Sequence, residues 1–222
     1  MKYLSWKEET ISDFSPNNVA DMYEKGFVFT RIGKGVMQQT RSLRINLSLF
    51  ELSSENRRIL KKVPGLEMKQ IELTLPSSQY NFSIGKMAKD FYDAKFGPSI
   101  MSAQKVKEML TDKDKSNFNQ LLEFRDMSDI CNAHGFVITY SSESLLHYSY
   151  PFYDLNICPK DMGLAMMISS IQKAKDSGQK YVYLGSLQRP TDVYKLQFSG
   201  LEWFDGKGWN TDLDEAKKTL SS

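Results

Sequence analysis

The residues of this chain best placed for chemistry follow a short apolar strand near residue 181. The strand, with the sequence YVYLG, ends at Gly185-Ser186, and a polar turn leads from it to the adjacent pair Tyr194-Lys195. Asp154 ends an earlier predicted strand. In open α/β sheets, ligands bind beyond the carboxyl ends of parallel strands. A ring, an ammonium and a carboxylate gathered at this edge therefore predict a binding or catalytic site, with nearby aromatic residues at its rim.

The elements that position these residues form a predicted β-α-β unit. Strands are predicted over 143–154 and 181–185, and a helix over 162–177. Apolar residues of the helix recur at a spacing near 3.6 and predict its buried face: Leu164, Met167, Ile168, Ile171 and Ala174. Asp161 is the predicted N-cap and Gly178 the predicted C-cap. A strand-helix-strand connection of this length joins parallel strands through a right-handed crossover.

The rest of the chain alternates between helical and strand patterns. Helices are predicted over 17–25 (with Asn17 or Asn18 as N-cap), 53–64, 85–96 and 103–110. Strands are predicted over 27–32, 37–49, 68–75 and in two segments between 121 and 142. The alternation Leu43-Ile45-Leu47-Leu49 is typical of a half-buried strand. Together these patterns predict an α/β fold, a mixed sheet with helices on both faces.

Composition limits the classes of function. The chain has 222 residues, 41% of them apolar, which suffices for one domain or two small ones. Its 29 basic and 27 acidic residues nearly cancel, so any contact with RNA must come from local patches. No segment approaches the roughly 18 apolar residues of a membrane span, and the first residues lack a signal-peptide pattern. We therefore expect a cytoplasmic protein without a membrane partner.

Cysteine and histidine are too few for the common metal and nucleophile sites. Cys131 and Cys158 are the only cysteines and are far apart in sequence, which disfavours a disulfide framework or a zinc site. His134 and His147 lie within strand patterns and are expected to be structural. Cys158 lies in the loop before the main helix, but a reactive thiol there lacks a partner histidine. No metal is expected.

Two blocks of the sequence resemble a known family. The C-terminal block consists of SYPFYDL, IQKAKDSGQKYVYLG and VYKLQF, followed by Glu202 and Trp209. The N-terminal block consists of Tyr23, Gly26-Phe27, Leu43-Arg44-Ile45 and FELSSENRRILKK. In order and spacing these blocks resemble the aminoacyl-tRNA–protein transferases, the arginyl and leucyl transferases of the N-degron pathway. They cover a little over half of the chain.

The resemblance implies the GNAT acyltransferase fold in its duplicated form. Residues 1–65 would form an N-terminal transferase segment packed on the core, and residues 66–222 a GNAT-like catalytic domain. The implied activity is transfer of arginine or leucine from its tRNA ester to the α-amine of a protein or peptide with an N-terminal Asp or Glu. Aminoacyl-tRNA is then a co-substrate, no cofactor is needed, and the expected state is a monomer.

The implied reaction suggests roles for individual residues. The attacking amine has a pKa of about 8, so it needs only a modest pull on its proton, and positioning supplies much of the remaining rate. The candidate catalytic residues are Tyr194, Lys195, Asp154 and Glu202. The candidate substrate-binding residues are Arg44, Arg57, Arg58, Tyr153, Tyr183, Gly185 and Ser186. Arginines suit a carboxylate, tyrosines suit a stacked adenine, and lysines such as Lys61, Lys62 and Lys195 suit phosphates.

Structural alternatives exist for most of these assignments. The run Arg57-Arg58-Lys61-Lys62 also has the i,i+4 spacing of a solvated helix face. Tyr183 and Tyr181 are two residues apart and therefore share one face of a strand, as core residues do. Asp154 is also a residue type that turns the chain at a strand end.

Departures from the family leave two other functions open. The segment IGKGVMQQTRSL lacks the family's cysteines, Leu52-Ser53 and Asn56 replace its Pro-Ser and Gln, and KMAKDFYDAKFG lacks its histidine. One alternative is an acetyl-CoA-dependent N-acetyltransferase; the other is a catalytically silent relative that binds RNA or acidic termini. The loop LNICPKDMGL has a single glycine, which is a poor cradle for a pyrophosphate and favours the tRNA-dependent reaction.

Overall fold

The computed structural model describes residues 4–126 and 134–220, with only the backbone of Asp126 and His134. Cys131 and the side chain of His134 lie outside the described part, so their predicted roles stay predictions. The strands are β1 (Lys7–Thr10), β2 (Phe27–Phe29), β3 (Val36–Gln39), β4 (Ser42–Asn46), β5 (Leu66–Glu72), β6 (Gln120–Asp126), β7 (His134–Ser141), β8 (Leu145–Tyr153), β9 (Tyr181–Ser186), β10 (Leu201–Phe204) and β11 (Trp209–Asn210). The helices are α1 (Pro16–Glu24), α2 (Ser54–Lys62), α3 (Phe82–Phe96), α4 (Ala103–Thr111), α5 (Met162–Asp176) and α6 (Leu213–Lys218), with a 3₁₀ helix over Pro190–Gln197.

The chain divides into two compact units. Unit 1 comprises Met1–Ser53, Ser142–His147 and Ile171–Ser222, and unit 2 comprises Ser54–Ser141 and Tyr148–Ser170. Strand β8 and helix α5 contribute residues to both units. The units are groups of residues in contact, whereas the division at residue 65 concerns function and stays a prediction.

Unit 1 contains strand β9, at whose carboxyl end the sequence predicts a ligand-binding site. Strands β1, β3 and β2 form an antiparallel sheet in that order. A second set of strands, β11-β10-β4-β9, is also antiparallel. Leu145–His147 of β8 pair with Tyr181–Tyr183 of β9 in parallel. This parallel pair confirms the predicted strand-helix-strand unit.

Unit 2 contains an antiparallel meander and two packed helices. Strands β5, β6 and β7 pair in sequence order, and α3 packs on α4. Phe124, Val137 and Ile138 are fully buried in its core. The mixed α/β class is confirmed, since parallel and antiparallel pairs occur together with helices. The GNAT assignment, its duplication and the placement of helices on both faces stay predictions.

The single strand predicted over 37–49 is wrong. The chain forms β3 and β4 in different sheets, with a tight turn between them in which the Ser42 amide donates to the Thr40 carbonyl at 2.6 Å. The Thr40 hydroxyl donates to the Leu4 carbonyl, which holds the turn. Leu43 and Ile45 are buried as the alternation predicts, but Arg44 between them is only 4% exposed. Strand β4 is therefore covered on both faces and is not half-buried.

Helix ends follow the predicted cap types with two differences. Helix α1 begins at Pro16 after Ser15, and not after Asn17 or Asn18, because proline is pre-set for the first helical position. Gly178 has φ +78 after α5, as a C-cap glycine should. The carbonyl of Asp161 accepts the Ala165 amide at the start of α5, but its side chain pairs with Lys62 at 2.8 Å.

We expect Gly26→Ala to destabilise the protein more than Gly178→Ala. Both glycines have positive φ, +81 and +78, so alanine costs about 1 kcal/mol at either position through left-handed backbone strain. A Cβ at Gly26 would also overlap the ring of Phe204, whereas nothing lies within 4 Å at Gly178. The overlap should add roughly 1–3 kcal/mol to the loss in the free energy of unfolding. Urea denaturation of the two variants measures the difference, and equal losses would contradict it.

Candidate active site

Lys195 lies at the carboxyl end of β9, as the sequence predicts. The 3₁₀ helix returns the chain to the strand end, so that Lys195 Nζ donates to the Ser186 carbonyl at 3.1 Å. The same Nζ lies 3.7 Å from Asp192 Oδ1, and the lysine side chain is 13% exposed. Burial lowers the pKa of Lys195 below its ordinary value; Asp192 opposes this shift and Arg189 adds to it. The ammonium is thus held in a fixed place and is a stronger acid than a surface lysine.

Asp192 organises the turn that carries this lysine. Its Oδ2 accepts the amides of Gln188 and Arg189, both at 2.9 Å. The Gln188 side chain donates in turn to the Leu4 carbonyl at 2.9 Å and to the Thr40 hydroxyl at 2.6 Å. Asp192 is not among the residues predicted for the site, although its i,i+3 spacing to Lys195 is visible in the sequence.

Tyr194 and Gly185 present an open surface beside Lys195. The Tyr194 side chain is 44% exposed, and its ring centroid lies 6.0 Å from Lys195 Nζ. Gly185 has φ +73, and no atom lies within 4 Å of the position that a Cβ would occupy. The structure therefore brings together four predicted residues, namely Gly185, Ser186, Tyr194 and Lys195.

A second group of predicted residues surrounds Arg44 in unit 1. Arg44 Nε donates to Glu202 Oε2 at 2.6 Å, and Nη1 donates to Glu24 Oε2 at 2.6 Å. Nη1 also lies 3.5 Å from the Tyr183 hydroxyl. The guanidinium carbon lies 4.0 Å from the ring centroids of both Tyr181 and Trp209. The arginine is thus bound by two carboxylates and stacked between two rings, and Glu24 is a partner that the sequence analysis missed.

The electrostatics of this cluster favour a permanently charged arginine. Burial alone would lower the pKa of Arg44, but hydrogen bonds to Glu24, Tyr183 and Glu202 raise it above its ordinary value. Burial also raises the pKa of Tyr183, which Arg44 partly opposes. Tyr183 is 1% exposed, in keeping with the core alternative. The roles of Arg44 and Glu202 toward a substrate stay predictions.

A groove of about 640 Å³ opens beside Arg44. Its lining carries four cations, Lys7, Lys25, Lys207 and Arg44, against the two carboxylates Glu9 and Glu24. The Glu24 side chain is 56% exposed, so its carboxylate reaches both the arginine and solvent. Such a surface has an excess of positive charge and suits an anionic ligand with polar neighbours.

His147 is buried behind the strand end and is neutral at ordinary pH. Its Nδ1 lies 2.8 Å from the Tyr23 hydroxyl, which also accepts the Phe29 amide at 3.3 Å. The Tyr23 ring packs edge-to-face on Tyr183, with 4.8 Å between ring centroids. Burial, with a smaller contribution from the charge of Lys195, lowers the pKa of His147 from 6.5 to about 3. The structural role expected for this histidine is consistent with its 2% exposure.

The other predicted residues belong to unit 2. Burial raises the pKa of Tyr153, whose ring packs on Phe91 with 4.9 Å between centroids. Asp154 Oδ1 accepts the Asn156 amide at 2.8 Å, a local turn of the kind that the structural alternative describes. These contacts give Tyr153 and Asp154 local structural partners, and their roles toward a substrate stay predictions.

Arg57 and Arg58 lie on the exposed side of α2 in unit 2. Arg58 forms two hydrogen bonds with Glu55, at 2.6 and 2.5 Å. Within residues 4–126 and 134–220, no group of three or more metal-ligating side chains occurs. None of the helices in those ranges combines the length and the apolar character that a bilayer crossing requires.

Curated relatives of this chain share one name. No protein-family model matches the chain. An aspartate/glutamate leucyltransferase of Alkalilimnicola ehrlichii is 26% identical over 218 residues, which cover 93% of this chain and 87% of the relative. That of Dinoroseobacter shibae is 25% identical over 179 residues, 76% of this chain but only 61% of the relative. That of Ruegeria pomeroyi is 25% identical over 178 residues, 78% of this chain and 62% of the relative.

The relatives confirm the resemblance seen in the sequence, because they are aminoacyl transferases of the kind it indicates. Among solved structures, L-PGS from Bacillus licheniformis gives a TM-score of 0.45 at 11% identity, covering 93% of this chain and 71% of that one. FemX gives a TM-score of 0.45 at 9% identity, covering 80% of this chain and 61% of that one.

We expect Arg44→Met to lower the free energy of unfolding by about 3 kcal/mol, because it leaves the mostly buried Glu202 carboxylate without its partner. Arg58→Met is the matched control: it removes an arginine from an exposed pair and should cause no resolvable change. The double variant Arg44→Met/Glu202→Gln should recover part of the loss. Urea denaturation measures all three, and a stable Arg44→Met protein would show that the cluster does not hold unit 1 together.

We expect the wild-type protein to lose stability in acid faster than His147→Asn. The folded protein holds the His147 proton less tightly than the unfolded chain, since the pKa falls from 6.5 to about 3. Stability therefore decreases as pH falls from 6.5 towards 3, with a slope of up to about 1.4 kcal/mol per pH unit from this group. Denaturation at several pH values gives the two slopes. Parallel slopes would mean that His147 titrates normally.

Proposed function

We propose that this protein transfers leucine from leucyl-tRNA to the N-terminal α-amine of proteins or peptides that begin with Asp or Glu. The observation that carries the proposal is the 218-residue alignment to a leucyltransferase, which spans 93% of this chain and 87% of the relative. Leucine is chosen over arginine because the relatives are named leucyltransferases. In this proposal aminoacyl-tRNA is the only co-substrate, and the protein acts as a monomer in the cytoplasm, within an N-degron pathway.

The reaction exchanges an ester for an amide. The neutral α-amine attacks the ester carbonyl carbon, forming a C–N bond, and the bond from that carbon to the ribose oxygen breaks. The amine loses one proton, and the ribose oxygen gains one as it leaves. Since an α-amine has a pKa of about 8, part of it is already neutral near pH 7. The protein must therefore align the two groups and stabilise the negative charge on the carbonyl oxygen.

Lys195 suits the second task. The carbonyl of Ser186 and the carboxylate of Asp192 fix the direction of its ammonium at the end of β9. Burial lowers its pKa, which makes it a stronger hydrogen-bond donor to a developing oxyanion. The exposed ring of Tyr194 next to it suits the terminal adenine of the tRNA, because any base can stack on an aromatic face.

The groove beside Arg44 suits the acidic N-terminus. When Glu202 is counted with its partner Arg44, the four cations still exceed the three carboxylates, which favours an Asp or Glu side chain over a neutral one. The exposed carboxylate of Glu24 suits the α-amine of the same residue. Arg44 lines this surface with its guanidinium held by Glu24 and Glu202. The excess of positive charge comes from the three lysines of the groove, Lys7, Lys25 and Lys207.

The test is a transfer assay with the purified protein, labelled aminoacyl-tRNA and short peptides. Label from leucyl-tRNA should appear on peptides that begin with Asp or Glu and not on a peptide that begins with Ala. Transfer from arginyl-tRNA instead would replace leucine by arginine in the proposal. Acetylation of the peptide from acetyl-CoA without tRNA, or binding of the substrates without transfer, would overturn it.

We expect Lys195→Ala to lower the rate of transfer at least about tenfold, because a fixed donor to the carbonyl oxygen is lost. Lys217→Ala is the matched control, since Lys217 is an exposed lysine paired with Asp214 on α6. Circular dichroism should show that both variants stay folded. Lys195→Arg should retain more activity than the alanine variant. Equal rates for Lys195→Ala and the wild type would remove Lys195 from the site.

A further inference from the structure

One side of helix α2 is strongly basic. Asn56 and Ile59 are buried, and the opposite side exposes Arg57, Arg58, Lys61 and Lys62. Glu55 is the single acidic residue of the helix. We call these four cations, together with Lys160, the α2 basic face; all belong to unit 2.

Lys160 lies next to the face, because it directly precedes Asp161, whose Oδ2 lies 2.8 Å from Lys62 Nζ. The hydrogen bond from Lys62 lowers the pKa of Asp161, and the charges of Lys62, Arg58 and Lys160 add to the shift. Three cations therefore lie within the field of a single carboxylate. The carboxylate holds Lys62 through the ion pair and offsets one of the three positive charges.

The neighbouring acids leave a large excess of positive charge. The face has five cations, and its two carboxylates are Glu55 and Asp161. The whole chain has a formal net charge of only +2, so the rest of the protein has no positive excess. Lys61 forms no ion pair with any residue in 4–126 or 134–220. A positive field this localised attracts polyanions to one surface.

Helix α3 is a helix in which two of the exposed lysines are paired with acidic residues of the same helix. Lys86 pairs with Asp90 and Lys89 pairs with Asp93, each at 2.5 Å and each with i,i+4 spacing. Helix α2 is shorter and carries four cations against a single carboxylate of its own, whereas α3 carries three lysines and two aspartates. Helix α2 therefore carries more unbalanced positive charge than a solvated helix surface needs.

The partner that fits this face is a phosphate backbone. Arg57 and Lys61, and likewise Arg58 and Lys62, are four residues apart, which places two cations side by side along the axis in two parallel rows. Arginine forks and lysine ammoniums are the usual phosphate ligands. None of the exposed large apolar side chains of the described residues lies on α2, so the helix lacks the apolar face that a membrane-surface helix inserts.

We propose that the α2 basic face binds the phosphate backbone of the tRNA that delivers the amino acid. The proposal rests on the proposed function, because only a tRNA-dependent reaction brings RNA to the protein. It assigns Arg57 and Arg58 to phosphates, and not to the carboxylate of the acidic N-terminus that the sequence analysis expected.

The test measures the affinity of uncharged tRNA at several salt concentrations for the wild type, Arg57→Gln/Lys61→Gln and the matched control Lys86→Gln/Lys89→Gln. Both double variants remove two cations from exposed helices of unit 2. The α2 variant should bind roughly tenfold more weakly near 0.1 M salt, and its slope of log K against log salt should fall by about two units. The α3 control should match the wild type in both quantities.

The proposal is overturned if the α2 variant and the wild type bind tRNA equally well, whether or not the KM for the acidic peptide rises, or if the α3 control loses as much affinity as the α2 variant. The transfer assay on the wild type separates this failure from failure of the proposed function. If the wild type transfers leucine but the α2 variant binds tRNA as tightly as the wild type, the proposed function holds and the tRNA binds at another surface. Tight binding of anionic vesicles in place of tRNA would also count against it.

Discussion

The structure of unit 1 depends on a buried arginine. Arg44 is on β4, and its two carboxylate partners come from α1 and β10, while its stacking partners come from β9 and β11. A guanidinium can satisfy all of these at once because its donors lie in its plane and its two faces remain available for rings. One side chain therefore links five elements that are far apart in sequence. Removing the arginine leaves the Glu202 carboxylate, whose side chain is 15% exposed, without its partner.

The two charged centres of unit 1 differ in kind. The hydrogen bonds of Arg44 favour its charged form, so its charge is fixed at every pH at which the protein is folded. Burial of Lys195 disfavours its charged form, and only Asp192 opposes that. The first arrangement fixes a charge in place, and the second lowers the pKa of an ammonium held at the end of a strand. Perturbed groups of the second kind are those that chemistry uses most often.

The part of the fold around α5 could be predicted because its helix and strands have regular apolar spacing. The apolar stripe of α5 and the strands on either side of it are readable from spacing alone, and so is the approach of Lys195 to the end of β9. The break between β3 and β4 could not be predicted, because it depends on Thr40 bonding to Leu4, far away in sequence. The apolar alternation begins only at Leu43, after the turn, and gives no signal that the strand is interrupted before it.

The sequence indicates the residue types of the candidate site but not the pairs that these residues form. Arg44 was found through a resemblance, yet its spacing gives no hint that Glu24 and Glu202 would bind it. Those contacts arise only when α1 and β10 pack against β4. Asp192 is the opposite case, because its spacing of three residues from Lys195 is visible in the sequence and indicates an ion pair. Short-range pairs are legible in a sequence, whereas long-range pairs follow from topology.

The turn that Asp192 closes has a consequence for affinity. A loop that must be ordered by its ligand lowers the affinity by the conformational entropy it loses on binding. Here the carboxylate already holds the Gln188 and Arg189 amides, and the Gln188 side chain is anchored to Thr40 and Leu4. The loop is thus preorganised, so a ligand that binds at Lys195, as we propose, would require little rearrangement at this end of the strand.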